Sequence, residues 1–180
     1  MIVNIFEEFY LINKIFTVSF DNAYENTASI TDLKKICQPA FDGRFFHIRC
    51  ACHVLNLCVQ DGLKTLQEHI SLIKCAISYL WSHPRVMKEW YTFCRAHNKR
   101  PKKFPRDVPT RWNSTYELLN ESFAYSELLC SFIVTHVSEV SLYQQQWSIC
   151  GHLLDLLKVF NDATYTLSGV YYPTAHLFIN

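Results

Sequence analysis

Apolar residues recur at helical spacing along most of the chain after residue 50. The first two stripes are formed by Cys50, Val54, Leu57 and Cys58, directed toward Leu66, and by Ile70, Ile73, Ile77 and Leu80. Positions at i, i+3, i+4 and i+7 share one face of an α-helix, so both stripes predict amphipathic helices. Ser82-His83-Pro84 is expected to end the second helix.

Three further apolar stripes follow. Pro84 suits the first turn of a third helix, where the missing N–H of proline costs no hydrogen bond. The members of the three stripes are Val86, Trp90, Phe93 and Cys94; Trp112, Tyr116, Leu119, Phe123, Cys130 and Ile133; and Trp147, Cys150, Leu154 and Leu157. The sequence therefore predicts a helical region over residues 50–180.

The first 49 residues have a different pattern. Phe6 to Ile15 is predicted to be helical, and the β-branched and aromatic run at 15–20 predicts a short strand that ends before Asp21. A helix is predicted from Asn26 to Ile36, followed by an extended stretch from Arg44 to Arg49. The predicted fold class is mostly α with a small α/β N-terminal part.

Composition narrows the class of protein. With 180 residues, 49% of them hydrophobic, the chain is long enough to bury a core of its own. Only four glycines are present, which argues against glycine-rich phosphate loops and turn-dense all-β folds. The eight cysteines are expected to be free thiols in a reducing compartment. No apolar run reaches the roughly 18 residues of a membrane span, so no membrane partner is expected.

Positive charge is concentrated in one segment. Residues 95–111 have a net charge of +6, and the cations are Arg95, Lys99, Arg100, Lys102, Lys103, Arg106 and Arg111. Three prolines within the segment oppose helix formation, so a loop is predicted. Lysines and arginines that neutralise phosphates release condensed counterions, and a polyanion is therefore one partner for this loop. A solvated linker or a nuclear-import signal is the alternative.

Three groups of residues carry candidate chemistry, each with a structural alternative. Asp21 at a strand end suits metal or phosphate chemistry, but an aspartate there also caps the next helix and turns the chain. Cys50, Cys52 and His53 are potential zinc ligands or a nucleophile with its base. A structural zinc site needs four ligands and no fourth is evident, so burial of these side chains is the alternative. Arg111 and Trp112 suit the grip of a phosphate and stacking on an unpaired base, although core packing is the favoured interpretation of Trp112 from the residues alone.

The three groups, in this order, resemble segments of the hAT-superfamily DNA transposases. Residues 18–26, VSFDNAYEN, are similar to the family's strand-end Asp-Asn-Ala-x-x-Asn segment. Residues 49–57, RCACHVLNL, resemble its Arg-Cys-x-x-His-x-Leu-Asn-Leu element, and residues 107–116, DVPTRWNSTY, resemble its Arg-Trp segment. Plant members continue to a Tyr-Pro-Thr-Ala sequence, as at Tyr172 to Ala175. The resemblance covers nearly the whole chain from about Thr17.

The resemblance implies an RNase H-like core interrupted by a helical insertion. The family cuts and joins DNA with an Asp-Asp-Glu set that holds two divalent ions, Mg²⁺ or Mn²⁺. Asp21 matches the second acid, a catalytic metal ligand, and Cys50 and His53 match the element near the active site where the insertion starts. Arg111 and Trp112 match the pair associated with a flipped base. We therefore expect a partial RNase H-like core at 1–49 and the insertion at 50–180.

The first aspartate and the final glutamate of that set have no counterpart here. We accordingly expect a truncated, transposase-like protein with an incomplete catalytic set, no stably bound metal and no cleavage activity alone. DNA is the expected partner and the nucleus the expected location. The expected DNA-binding residues are Lys99, Arg100, Lys102, Lys103, Arg106, Arg111 and Trp112. A domesticated protein-interaction module whose basic loop directs nuclear import is the alternative, and a protein partner or homo-oligomer is left open.

Overall fold

The computed structural model describes residues 2–21 and 23–169, so the segment Tyr172 to Ala175 lies outside the described residues. The chain divides into two compact units between Leu55 and Asn56. No described helix is both long and apolar enough to cross a membrane.

The first unit is built around a parallel pair of strands. Its elements are α1 Ile2–Glu8, a 3₁₀ turn Ile12–Lys14, β1 Val18–Phe20, α2 Tyr24–Cys37, a second 3₁₀ turn Phe41–Gly43 and β2 His47–Arg49. Val18 pairs with His47 and Phe20 with Arg49, and α2 connects the two strands. Leu33 and Cys37 of α2 form a small buried core with Phe46. The predicted strand–helix–strand order is confirmed, although each strand is only three residues long.

The second unit is helical. α3 Ala51–Thr65 runs across the division and is followed by α4 Gln67–Ser82, α5 Pro84–Ala96, α6 Trp112–Phe123, α7 Ser126–His136 and α8 Gln144–Leu167. The predicted stripe on α4 is confirmed, because Ile70, Ile73, Ile77 and Leu80 are all buried. Trp90 and Cys94 of α5 and Trp147 and Cys150 of α8 join the same core. The mostly α fold class is thereby confirmed.

The stripe predicted on α3 is wrong. Val54 and Leu57 are 39% and 46% exposed, whereas Val59 is 5% exposed. Leu63 packs beside Val59 against the core of the helical unit. The buried face therefore begins with Val59 in the second half of α3, and the earlier apolar positions lie outside it.

The long stripe from Trp112 to Ile133 belongs to two helices rather than one. α6 ends at Phe123, which is 40% exposed, and α7 begins after Tyr125. α6 begins after Arg111, whose carbonyl accepts the hydroxyl of Ser114 at 2.7 Å. Helical spacing persists across a break because both helices bury residues in the same core.

The basic segment is held against the helical unit and is not a free loop. Arg95 belongs to the last turn of α5, and we refer to residues 99–108 as the strap. Three aromatic donors bind alternate strap carbonyls: the Tyr125 hydroxyl binds that of Arg100 at 2.9 Å, the Trp90 indole that of Lys102 at 2.9 Å, and the Trp81 indole that of Phe104 at 3.0 Å. Alternate carbonyls of an extended chain point the same way, which explains the two-residue spacing.

A side-chain anchor and a polar network complete the attachment of the strap. Phe104 is 2% exposed and packs against Trp90. Asp107 pairs with Lys74 at 2.9 Å and accepts the Thr115 hydroxyl at 2.6 Å, which joins the strap to α4 and α6. The strap is therefore a part of the folded unit, and the interpretation as a solvated linker does not hold.

Replacing Trp90 by Phe is expected to loosen the strap. The substitution removes volume from a fully buried site and leaves the Lys102 carbonyl without its donor, a loss of about 1–3 kcal/mol. Urea unfolding measures the stability, and limited trypsin digestion measures cleavage after Lys102 and Lys103. Trp147→Phe is the matched control, because Trp147 is as deeply buried as Trp90 and its ring packs on Phe123, outside the strap. Equal rates of strap cleavage in the two variants would contradict the strap's attachment through Trp90.

Two buried thiols are expected to make the helical unit sensitive to alkali. Burial raises the pKa of Cys150 to about 12 and that of Cys94 to about 11. The unfolded chain releases these protons near pH 8.5, so their contribution is complete below that pH and is lost as the pH rises toward 11–12. Each thiol adds a slope of at most about 1.4 kcal/mol per pH unit. Measured by urea unfolding between pH 8 and 10, the free energy of unfolding should therefore decline less steeply for Cys150→Ala than for the wild type. Parallel declines would contradict a contribution from the Cys150 thiol.

Candidate functional site

The carboxyl ends of β1 and β2 bring two of the three predicted groups together. Asp21 directly follows β1, and Cys50 directly follows β2. Because the strands are parallel, both positions lie at the same edge of the sheet. The Cys50 N–H donates to the Phe20 carbonyl at 2.8 Å, which ties the two strand ends together.

The Asp21 carboxylate is exposed and is held by local hydrogen bonds. Its Oδ1 accepts the Ala23 N–H at 3.0 Å and the Asn26 side-chain amide. These two bonds lower the pKa of Asp21, and the nearby His53 lowers it further by a smaller amount. Asp21 is therefore ionised at neutral pH. It also turns the chain into α2, as the structural alternative predicts.

The described residues do not fit a two-metal centre. No group of three or more His, Cys, Asp or Glu side chains among them is arranged to hold a metal ion. Two ions held 3.5–4 Å apart need several carboxylates, and this strand end offers Asp21. Cys50 and His53 are both half-buried, and no zinc site is assembled around them in the part of the chain described. The metal-binding role of Asp21 remains a prediction.

The strap cations have different partners on the surface of the helical unit. Lys102 pairs with Glu121 at 3.1 Å, and the Lys99 ammonium lies 5.8 Å from the Tyr125 ring centroid. Lys103 and Arg106 both lie over the ring of Trp81. Arg100 is exposed. The chemistry available here is that of a basic surface on a fixed backbone, suited to a polyanion.

Arg111 and Trp112 are adjacent in sequence but differ in their surroundings. Arg111 is exposed at the start of α6, whereas Trp112 is 2% exposed and packs with Tyr116 in the core. The backbone N–H of Trp112 also donates to the Asn56 side chain at 3.4 Å. An unpaired base does not reach this ring in the structure, so the core alternative applies to Trp112.

Sequence reasoning missed the residues that shape the basic surface. A cleft of about 480 Å³ lies between α4 and the strap and is lined by Lys74, Ser78, Trp81 and Arg106 among others. Lys74, Ser78 and Trp81 stand at i, i+4 and i+7, so helical periodicity was a usable signal for a shared polar face. What the pattern did not show is that the strap would lie across this face.

Comparison with known proteins identifies the family. The ZBED1 RNase-like helical domain matches residues 48–155. A maize protein described as an AC transposase is 34% identical over 92% of this chain and 22% of its own length. A maize AC9 transposase is 30% identical over 92% of this chain and 24% of its own, and the rice Zinc finger BED domain-containing protein RICESLEEPER 1 is 23% identical over 93% and 24%.

The chain spans about a quarter of the length of these curated relatives. No solved structure matches it. The domain match covers more than half of the chain, and the relatives align with both the strand–helix–strand unit and the helical unit. The chain therefore belongs to the hAT transposase family.

Proposed function

We propose that this chain binds DNA without sequence preference through the strap and the adjacent Arg111. The observation that supports the proposal best is the fixed backbone of the strap, whose carbonyls at 100, 102 and 104 are bound by buried or half-buried aromatic donors. A pre-ordered basic surface loses less conformational entropy when it contacts phosphates than a flexible loop does. DNA as the partner also makes the nucleus the expected location.

The charges available to DNA are those without a carboxylate partner. Among the described residues, Lys99, Arg100, Lys103, Arg106 and Arg111 form no ion pair, whereas Lys102 is paired with Glu121. Five cations that each neutralise one phosphate give a log–log salt slope no steeper than about −4.5. Trp112 is not included in the interface, because its ring is buried.

The strand end is proposed to supply one ligand of a metal centre that this chain does not complete. Asp21 is exposed and ionised at the carboxyl end of a parallel strand, which suits a metal ligand. Two-metal cleavage requires further carboxylates beside Asp21, and the described residues place no such group around it. We accordingly assign DNA binding to this chain and no strand cleavage by the chain alone.

The alternative function, a protein-interaction module with a basic import signal, makes a different use of the same segment. Import receptors bind lysine-rich peptides in an extended, accessible form, and the strap has its backbone occupied by Trp81, Trp90 and Tyr125. This attachment favours DNA binding by the folded unit over presentation of a free peptide.

Removing strap cations is expected to weaken DNA binding more than removing the same charge elsewhere. The test variant replaces Lys99, Arg100, Lys103 and Arg106 by Gln. The matched control replaces Lys35, Lys64, Arg85 and Lys158, all in exposed ion pairs outside the strap. Fluorescence anisotropy with a labelled 20-base-pair duplex at 50–200 mM salt should show a loss of at least about tenfold for the first and less than about threefold for the second. Equal losses, or salt-independent binding of the wild type, would contradict the proposal.

The purified chain is expected not to nick DNA. Supercoiled plasmid incubated with the protein and Mg²⁺ or Mn²⁺ should remain intact on an agarose gel, because a single Asp21 carboxylate does not hold two metal ions. Asp21→Ala should then be indistinguishable from the wild type. Metal-dependent nicking that disappears in Asp21→Ala would show that this strand end forms a complete centre.

A further inference from the structure

Trp81 holds two strap cations on one indole ring. The Lys103 ammonium nitrogen lies 3.6 Å from the ring centroid, and the Arg106 guanidinium carbon lies 4.2 Å from it. The two charges are therefore at most 7.8 Å apart, the sum of these distances. The negative face of the ring attracts both cations and partly offsets their mutual repulsion. The remaining repulsion is relieved by an anion that contacts both cations.

The indole also fixes the backbone between the two cations. Its N–H donates to the Phe104 carbonyl at 3.0 Å, and Phe104 itself is buried. Lys103 and Arg106 therefore start from a stretch of chain whose position is determined at its centre. Such pre-organisation reduces the ordering cost of gripping one ligand with two long side chains.

The adjoining cleft has the lining of an anion site. Arg106, Lys74, Ser78 and Ser82 supply a guanidinium, an ammonium and two hydroxyls. Asp107 is the acid in the lining, and its charge is matched by Lys74 at 2.9 Å while its other oxygen accepts the Thr115 hydroxyl at 2.6 Å. Neither Lys103 nor Arg106 has a carboxylate partner among the described residues. Arg106 is thus the charge in the lining that no described carboxylate matches, and Lys103 lies over the same Trp81 ring.

We infer that Lys103 and Arg106, held on Trp81, form a subsite that grips a single backbone phosphate of the bound DNA. Charge-assisted hydrogen bonds to a phosphate are about 2.8 Å long and two phosphate oxygens are about 2.5 Å apart, so one phosphate group reaches two cations separated by up to about 8 Å. This inference rests on the proposed DNA binding and makes it specific. Within the strap, this pair carries most of the affinity, and Lys99 and Arg100 add only long-range attraction.

Two double variants test the subsite with equal changes of charge. Lys103→Gln with Arg106→Gln removes the pair on Trp81, and Lys99→Gln with Arg100→Gln removes two cations from the same strap. In duplex titrations at 50–200 mM salt, the first should lose at least about tenfold in affinity at 0.1 M salt and about 0.9 from the log–log salt slope, because one phosphate contact is removed. The second should lose about threefold in affinity, with a smaller change in slope. Equal losses would overturn the subsite while leaving DNA binding by the strap intact. Absence of wild-type binding would instead refute the proposed function.

Two substitutions at Trp81 separate its ring from its N–H. Trp81→Phe and Trp81→Leu both lose the hydrogen bond to Phe104, but only Phe keeps an aromatic face for the cations. Once circular dichroism shows both to be folded, Trp81→Phe should bind the duplex at least about threefold more tightly than Trp81→Leu. Equal affinities would show that the ring does not organise the cations.

Displacement of the duplex by 10 mM inorganic phosphate at constant ionic strength would assign the site to free phosphate and overturn the backbone assignment.

Discussion

The hydrogen bonds from three aromatic side chains to the strap carbonyls determine the form of the basic surface. The strap, with five cations and two prolines, has little reason to order by itself, because its charges repel and its backbone lacks regular partners. Trp81 of α4, Trp90 of α5 and Tyr125, which precedes α7, supply those partners, and all three pack in or against the buried core. Phe104 adds apolar burial at the centre of the segment. The cations of the strap are thereby attached to a backbone that the helical unit holds in place.

The four tryptophans have different structural roles, and the strap accounts for part of the difference. Trp90, Trp112 and Trp147 are core residues, each at most 2% exposed, whereas Trp81 stands at the edge of the core with two cations on its ring. The family resemblance directed attention to Trp112 as a partner for bases. The structure instead points to Trp81 as the aromatic residue that faces the charged surface.

Much of the fold was predictable because it depends on local periodicity. The α4 stripe of Ile70, Ile73, Ile77 and Leu80 is buried as predicted, and Asp21 and Cys50 do follow neighbouring parallel strands. The errors have non-local causes. Val59, not Val54, faces the core of the helical unit, and the neighbouring Gln60 binds the carbonyl of Pro109, 49 positions along the chain. The break at Tyr125 coincides with its bond to Arg100. No sequence period encodes the contact between Trp81 and the strap, which joins residues 23 positions apart.

The central claim is that the strap stays fixed on the helical unit and meets DNA in that form. The indole ¹H–¹⁵N signals of the four tryptophans test it directly, because each reports whether its N–H is bonded. On this account the Trp81 and Trp90 signals exchange slowly with water both before and after a duplex is added. The Trp81 signal shifts with DNA, whereas that of Trp147 does not. Rapid exchange of the Trp81 and Trp90 protons in the free protein, or a Trp81 signal unmoved by saturating DNA, would contradict it.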